Sequence, residues 1–157
     1  MIDYGQCKSL NEVERTQLSR IVCELASSTV NDFLVADTMR ELGFRFKYDK
    51  ANISRQMADL FFGSDRERSE LGFANPQMYL QHLQSQDPME NVPDAAGEYE
   101  IIHVQINMNL VIFSSYYDTK SSVFVGRTSF LFRGMGSFLG QHIHTSKRWY
   151  PYASMNL

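Results

Sequence analysis

At 157 residues, with 43% apolar and 21% charged residues and a formal charge of −3, the chain has the size and balance of one globular domain. It carries no basic run to neutralise phosphates, which argues against a nucleic-acid partner. It also lacks an apolar stretch of the roughly 20 residues that a bilayer span requires.

The N-terminal MIDYGQCKSLNEVER lacks the basic-then-apolar order of a signal peptide, so a cytosolic location is expected. Cys7 and Cys23 are the two cysteines, and in a reducing compartment they read as free thiols. Eleven Phe, eight Tyr and one Trp are enough aromatic side chains to line a core or an apolar pocket.

Residues 9–86 read as helices. Ser9 and Glu12 have capping-box spacing, and Leu10, Val13, Leu18, Ile21, Val22 and Leu25 recur at helical intervals. A second helix is expected over about 30–46, weakened or ended at Gly43. In DKANISRQMADLFFG, Asn52 is the expected N-cap of a third, with Ile53, Met57, Leu60 and Phe61 on one face and Gly63 as its stop. Asp49 is read as a helix-start capping residue. RERSELGFA is polar and reads as a solvated loop. NPQMYLQHLQSQ is another helix, with Pro76 in its first turn. DPMENVPDAAG (87–97) is read as a connection within one domain.

Residues 98–146 read as strands. EYEIIHVQI, NLVIFSSYY, SSVFVGRTSFLFR and SFLGQHIHTS are rich in β-branched and aromatic residues and separated by short breaks, which favours an antiparallel meander. The fold class expected is α+β, with N-terminal helices packed on a curved antiparallel sheet.

Helices followed by NLVIFSSYYD and then GRTSFLFRGMGSFLGQHIHTS resemble the nuclear transport factor 2-like superfamily, and within it the SnoaL-like domains. The resemblance covers about 30–147 and is best over 107–146. Phe138 stands where the family usually has Trp, and the RGMGS hairpin lacks an Asp-Gly. Residues 1–28 would be an N-terminal helical extension of a single domain, or contain the family's first helix. The resemblance implies a cone-shaped fold with a pocket between helices and sheet, and dimerisation through the outer sheet face. It does not imply one chemistry.

On a strand, His142 and His144 point to one face with Phe138 and Ser146. A metal reading needs a third ligand; His103 is the one distant candidate, and no metal site or cofactor is expected. Either histidine could serve as a general base beside a bound substrate. Asp118 is the single acidic residue after position 100 and reads as a turn residue, so a pocket acid would have to come from a helix, where Asp49 and Asp59 lie. Arg127 and Arg133 share a strand parity opposite to Phe130 and Phe132. They are expected to face solvent or an oligomer interface, with Arg127 able to bind an acidic ligand if a bulge reverses the parity. One of Tyr116 and Tyr117 should face the pocket. Trp149, Tyr150 and Tyr152 are expected to pack over the sheet or a partner subunit.

Together these features lead to a homodimeric, small-molecule-binding domain, sensory or regulatory, taking an apolar or aromatic ligand. Its lining residues are Tyr116, Arg127, Phe130, Phe132, His142 and His144. The alternatives are a cyclase, isomerase or dehydratase using a pocket histidine as general base, and an oligomerisation module.

Overall fold

The computed structural model describes residues 9–91 and 121–157. Helix α1, Glu12–Ala26, starts at a capping box formed by Asn11 and Glu14 rather than by Ser9 and Glu12. The Asn11 carboxamide accepts from the Glu14 N–H at 2.8 Å, and the Glu14 carboxylate accepts from the Asn11 N–H at 3.1 Å. Leu18, Ile21, Val22 and Leu25 form its buried stripe. Helix α2, Asp32–Glu41, is capped by Asn31, which accepts from the Phe33 and Leu34 N–H groups. Gly43 ends this segment at φ +96°, a left-handed conformation that costs glycine nothing.

Strand β1, Arg45–Phe46, follows and pairs antiparallel with β2, Met89–Asn91, placing Phe46 opposite Met89. This ribbon is the only sheet among the described residues. Between its strands run α3 (Ala51–Phe62), α4 (Arg66–Glu70) and α5 (Pro76–Gln86). Helix α3 lies at the centre. It buries Ile53, Ser54, Met57, Ala58, Leu60 and Phe62 and packs against α1, α2 and α5. Asn75 caps α5 by accepting from the Met78 N–H at 2.9 Å, and Pro76 stands in the first turn as expected.

The start of α3 is held from a distance. Lys50 occupies the N-cap and makes no side-chain cap bond. Asn52 therefore lies inside the helix, and Asp49, at φ +51°, precedes the cap and pairs with Arg40 at 3.5 Å. The fully buried Asp87 supplies the missing acceptor. Its two carboxylate oxygens accept from the Tyr48 and Lys50 N–H groups, both at 2.8 Å. A carboxylate can be buried at a helix start because it meets oriented backbone donors and the positive end of the helix dipole.

The C-terminal half departs from the expected meander. Residues read as EYEIIHVQI and NLVIFSSYY, with His103, Tyr116, Tyr117 and Asp118, lie outside the described residues, as does Cys7. Of the two remaining expected strands, the first is helical and the second is the end of one helix, a turn and connection, and the start of another. Helix α6, Ser121–Phe138, contains all of SSVFVGRTSFLFR and the GMG that reads as a hairpin, and helix α7, Thr145–Ala153, begins inside QHIHTS. A short 3₁₀ turn, Ser154–Asn156, follows. The curved sheet and cone are thus replaced by a helical assembly.

The reason lies in a buried stripe of three small residues and one inward-turned arginine. Among the described residues of α6, Gly126, Ser129, Arg133 and Gly136 are the buried ones, and they recur at helical, not strand, spacing. A Cβ at Gly126 would already sit 3.6 Å from Phe61 and Phe62, and one at Gly136 would fall 2.6 Å from the Ile143 side chain. The glycines let α6 approach α3 and the 140–144 connection closely. That packing outweighs the β propensity of the Val and Phe residues between them. Phe130 joins the core, its ring 5.8 Å from Phe61 in an edge-to-face contact.

Replacing Asp87 by Ala leaves the part-buried Tyr48 and Lys50 N–H donors without their acceptor, and urea denaturation is expected to show a loss of about 2 kcal/mol. Asp87→Asn, which keeps one acceptor, should lose less. A loss below 1 kcal/mol in Asp87→Ala would mean that the β1–α3 connection does not depend on this carboxylate.

Candidate functional site

RERSELGFA, expected to be a loop, forms α4, and its Glu67 turns back onto α3. Arg55 donates to both Glu67 oxygens, at 2.6 and 2.8 Å, and its Nε lies 3.1 Å from Asp32 on α2. Gln56 adds a third bond to Glu67 at 2.8 Å. Burial disfavours the Glu67 carboxylate, yet the Arg55 hydrogen bonds, the Arg55 charge and Gln56 together hold its pKa below the usual value. The Glu67 hydrogen bond in turn raises the Arg55 pKa. This bidentate, desolvated pair ties α2, α3 and α4 together.

One turn further along α3 stands a carboxylate of a different kind. Asp59 is half-buried and accepts one hydrogen bond, from the Ser64 N–H to Oδ1 at 3.2 Å. No donor among the described residues reaches its second oxygen. Burial lifts its carboxyl from 3.8 to about 6, and the neighbouring Glu67 charge pushes the same way. The Ser64 bond and the Arg55 and Arg133 charges oppose the rise without cancelling it. The backbone is fitted around Asp59 as well. A Cβ on Gly63, the residue that ends α3, would fall 1.9 Å from Asp59 Oδ1.

Asp59 lines a cleft of about 470 Å³ between the end of α1, the α3–α4 turn and the start of α7. Arg55, Ser64, Glu67, His144 and Lys147 share the wall. Two bonds bring the C-terminal helices to this place. The Thr145 N–H donates to the Gly63 carbonyl at 3.0 Å, and the Arg133 guanidinium donates through Nη2 to the Leu60 carbonyl. Ser129 Oγ meets Thr145 Oγ1 at 3.0 Å, joining α6 to α7.

Arg133, expected to face solvent or an interface, is instead 3% exposed. Its Nη1 lies 3.7 Å from Asp65, while Nε and Nη1 make no hydrogen bond. Burial lowers its pKa against the pull of Asp65 and Asp59. Tyr79 Oη is likewise buried without a partner, and burial pushes the phenol up, with Glu67 acting in the same direction.

The expected histidine pair is split. His144 is the N-cap of α7, makes no cap bond with its side chain and faces the Asp59 cleft. His142 lines a separate cleft of about 400 Å³ with Phe132, Gln141, Ile143, Arg148 and Trp149. Of the other expected lining residues, Phe130 is in the core, Phe132 is about half exposed and Arg127 lies on α6. Tyr116 is outside the described residues. Tyr150 and Tyr152 are exposed on α7 with no sheet beneath them. Among the described residues no group of three or more His, Cys, Asp or Glu side chains is arranged to hold a metal, and no helix is long and apolar enough to cross a membrane.

Sequence reasoning names Asp59 as a helix-borne acid without giving it a role, and passes over Glu67. For Asp59 a signal existed: an acid one residue before the buried LFF run, on the helix that ends at Gly63.

The Asp59 carboxyl keeps its proton in the folded chain, and loses it in the unfolded chain, between pH 3.8 and about 6. Its contribution to stability is therefore present at low pH and lost as pH rises through that window. Asp59→Asn should be more stable than the parent at pH 7.5 by as much as about 3 kcal/mol. The gain should grow from pH 4 to 6 and stay level above. Chemical denaturation across that range measures it, and a destabilised variant at pH 7.5 would show Asp59 to be a structural anion.

Comparison with family models, curated proteins and solved structures gives no match to this chain.

Proposed function

We propose that this chain is a small-molecule-binding domain whose ligand sits in the Asp59 cleft and is anchored by the Asp59 carboxylate. The observation that carries this reading is the unshared carboxylate oxygen of Asp59, on a desolvated side chain that faces a cleft of about 470 Å³. Ligand sites are commonly pockets of this size with a few convergent polar groups, one of them with a perturbed pKa. The Arg55–Glu67 pair is spent on holding helices together, whereas Asp59 costs stability where it stands. A side chain of that kind is typical of a site kept for function.

The wall supports a polar ligand more than the apolar or aromatic one expected from the sequence. Ser64, Glu67, His144, Ser146 and Lys147 all face the space. A ligand that presents an N–H or O–H to Asp59 and an acceptor to Lys147 would use both ends of the cleft. A cytosolic setting belongs to the same reading, with Cys23 a free thiol on α1.

Catalysis is the second reading. His144 and Asp59 line one cleft, and a carboxyl titrating near 6 beside an imidazole is a workable acid–base pair near neutral pH.

A panel of small amines, alcohols, sugars and carboxylic acids, screened by ligand-observed NMR, tests the binding reading. Compounds that bind should lose at least tenfold in affinity in Asp59→Asn and weaken as pH falls below about 6, where the carboxylate takes up its proton. Binders that tolerate Asp59→Asn, or a panel with no binder at millimolar concentration, would remove the reading.

A further inference from the structure

Helix α6 turns Arg133 inward and an uncharged face outward. Leu131, Phe132, Met135, Phe138 and Leu139 are exposed to 56, 48, 54, 91 and 71%. Their spacing of one, four, seven and eight residues from Leu131 places them on one side of the helix. The other exposed large apolar residues are scattered over several elements. At about 200 Å² for a fully exposed large side chain, this stripe presents roughly 600 Å² of apolar surface. That lies at the upper limit of the largest patch on an ordinary monomer, about 300–600 Å². It approaches the ~800 Å² that each partner contributes to a stable interface, before flanking atoms are added.

The order of residues on this face is symmetric. LFRGMGSFL, residues 131–139, reads the same from either end about Met135 at every position except Arg133 and Ser137. Two copies of α6 crossing antiparallel about a twofold axis at Met135 would set Leu131 against Leu139 and Phe132 against Phe138, so that each large side chain meets one of its own kind. Gly134 has open space at its Cβ position, which leaves room beside Met135 at the axis. The chain has no Lys, Arg, Asp or Glu between Arg133 and Lys147, so the pairing brings no like charges together. An isologous contact requires such a self-complementary patch.

We infer that this face is the interface of a homodimer, with the α6 helices of two copies packed antiparallel across Met135. The interface lies on a helix rather than on the outer sheet face that the family resemblance implies. It is independent of the Asp59 cleft.

Light scattering and sedimentation equilibrium on the full chain test it. At micromolar to sub-millimolar concentration the parent should show twice the single-chain mass. Met135→Glu, which sets two carboxylates at the axis, should show half the parent's mass with its helical circular dichroism intact. Because that variant could fail to fold, Met135→Cys supplies a second measurement. On mild oxidation it should give a disulfide-linked dimer, whereas Leu71→Cys, exposed elsewhere, should not. A parent of single-chain mass would overturn the inference, as would a dimer that survives Met135→Glu in a folded chain. So would a Met135→Cys thiol that neither crosslinks nor reacts with maleimide, since the face would then be covered by the chain's own residues 92–120.

Discussion

The last turn of a helix leaves carbonyl oxygens that the helix cannot satisfy itself, and the fold is organised around those at the end of α3. Gly63 closes the helix onto the Asp59 carbonyl. Two further partners come from far along the chain. Arg133 reaches the Leu60 carbonyl from α6, and the Thr145 N–H reaches the Gly63 carbonyl from the start of α7. These bonds decide where the C-terminal helices dock. Because α7 is drawn to Gly63, its first turn lines the same cleft as Asp59. One unmet need of the backbone thus positions both the packing and the candidate site.

Charge within this region is divided between two tasks. Arg55, Glu67, Asp32 and Gln56 are mutually satisfied and join three helices. Arg133 and Tyr79 keep buried polar atoms without a hydrogen-bond partner, and Asp59 has one carboxylate oxygen that no described donor reaches. Unpaired buried polar atoms such as those of Arg133 and Tyr79 are costly to stability.

Much of the N-terminal half was legible from the sequence. The apolar spacing of α1 and α3 and the punctuation by Gly43, Gly63 and Pro76 locate helices that the structure contains. The caps were off by two residues: Ser9 fits the same pattern as Asn11, and Lys50 starts α3 without a capping side chain because the distant Asp87 supplies the acceptor. Helix α4 was missed because five polar residues carry no periodicity; what holds it is the Arg55–Glu67 pair. The C-terminal half misled for a different reason. Val, Phe and Leu in quick succession look like strands, whereas the ordering signal was the Gly126–Ser129–Arg133–Gly136 stripe. Small residues at helical spacing indicate close approach only when there is a surface to approach, and that surface, the Phe61–Phe62 edge of α3, lies elsewhere in the chain. The paired histidines followed from the same misreading: on a strand they share a face, but around the start of α7 they part.

The Arg133–Leu60 bond spans 73 residues, and its length in sequence has a kinetic meaning. Closing so long a loop carries an entropic cost that local helix contacts do not. The core built from α1, α2, α3 and α5 has most of its apolar contacts within residues 9–91. During vectorial synthesis those helices can collapse first, with the last carbonyls of α3 left to water until α6 and α7 emerge. The cleft, which needs α7 for one of its walls, is then completed late. A nascent chain would be compact well before this cleft exists.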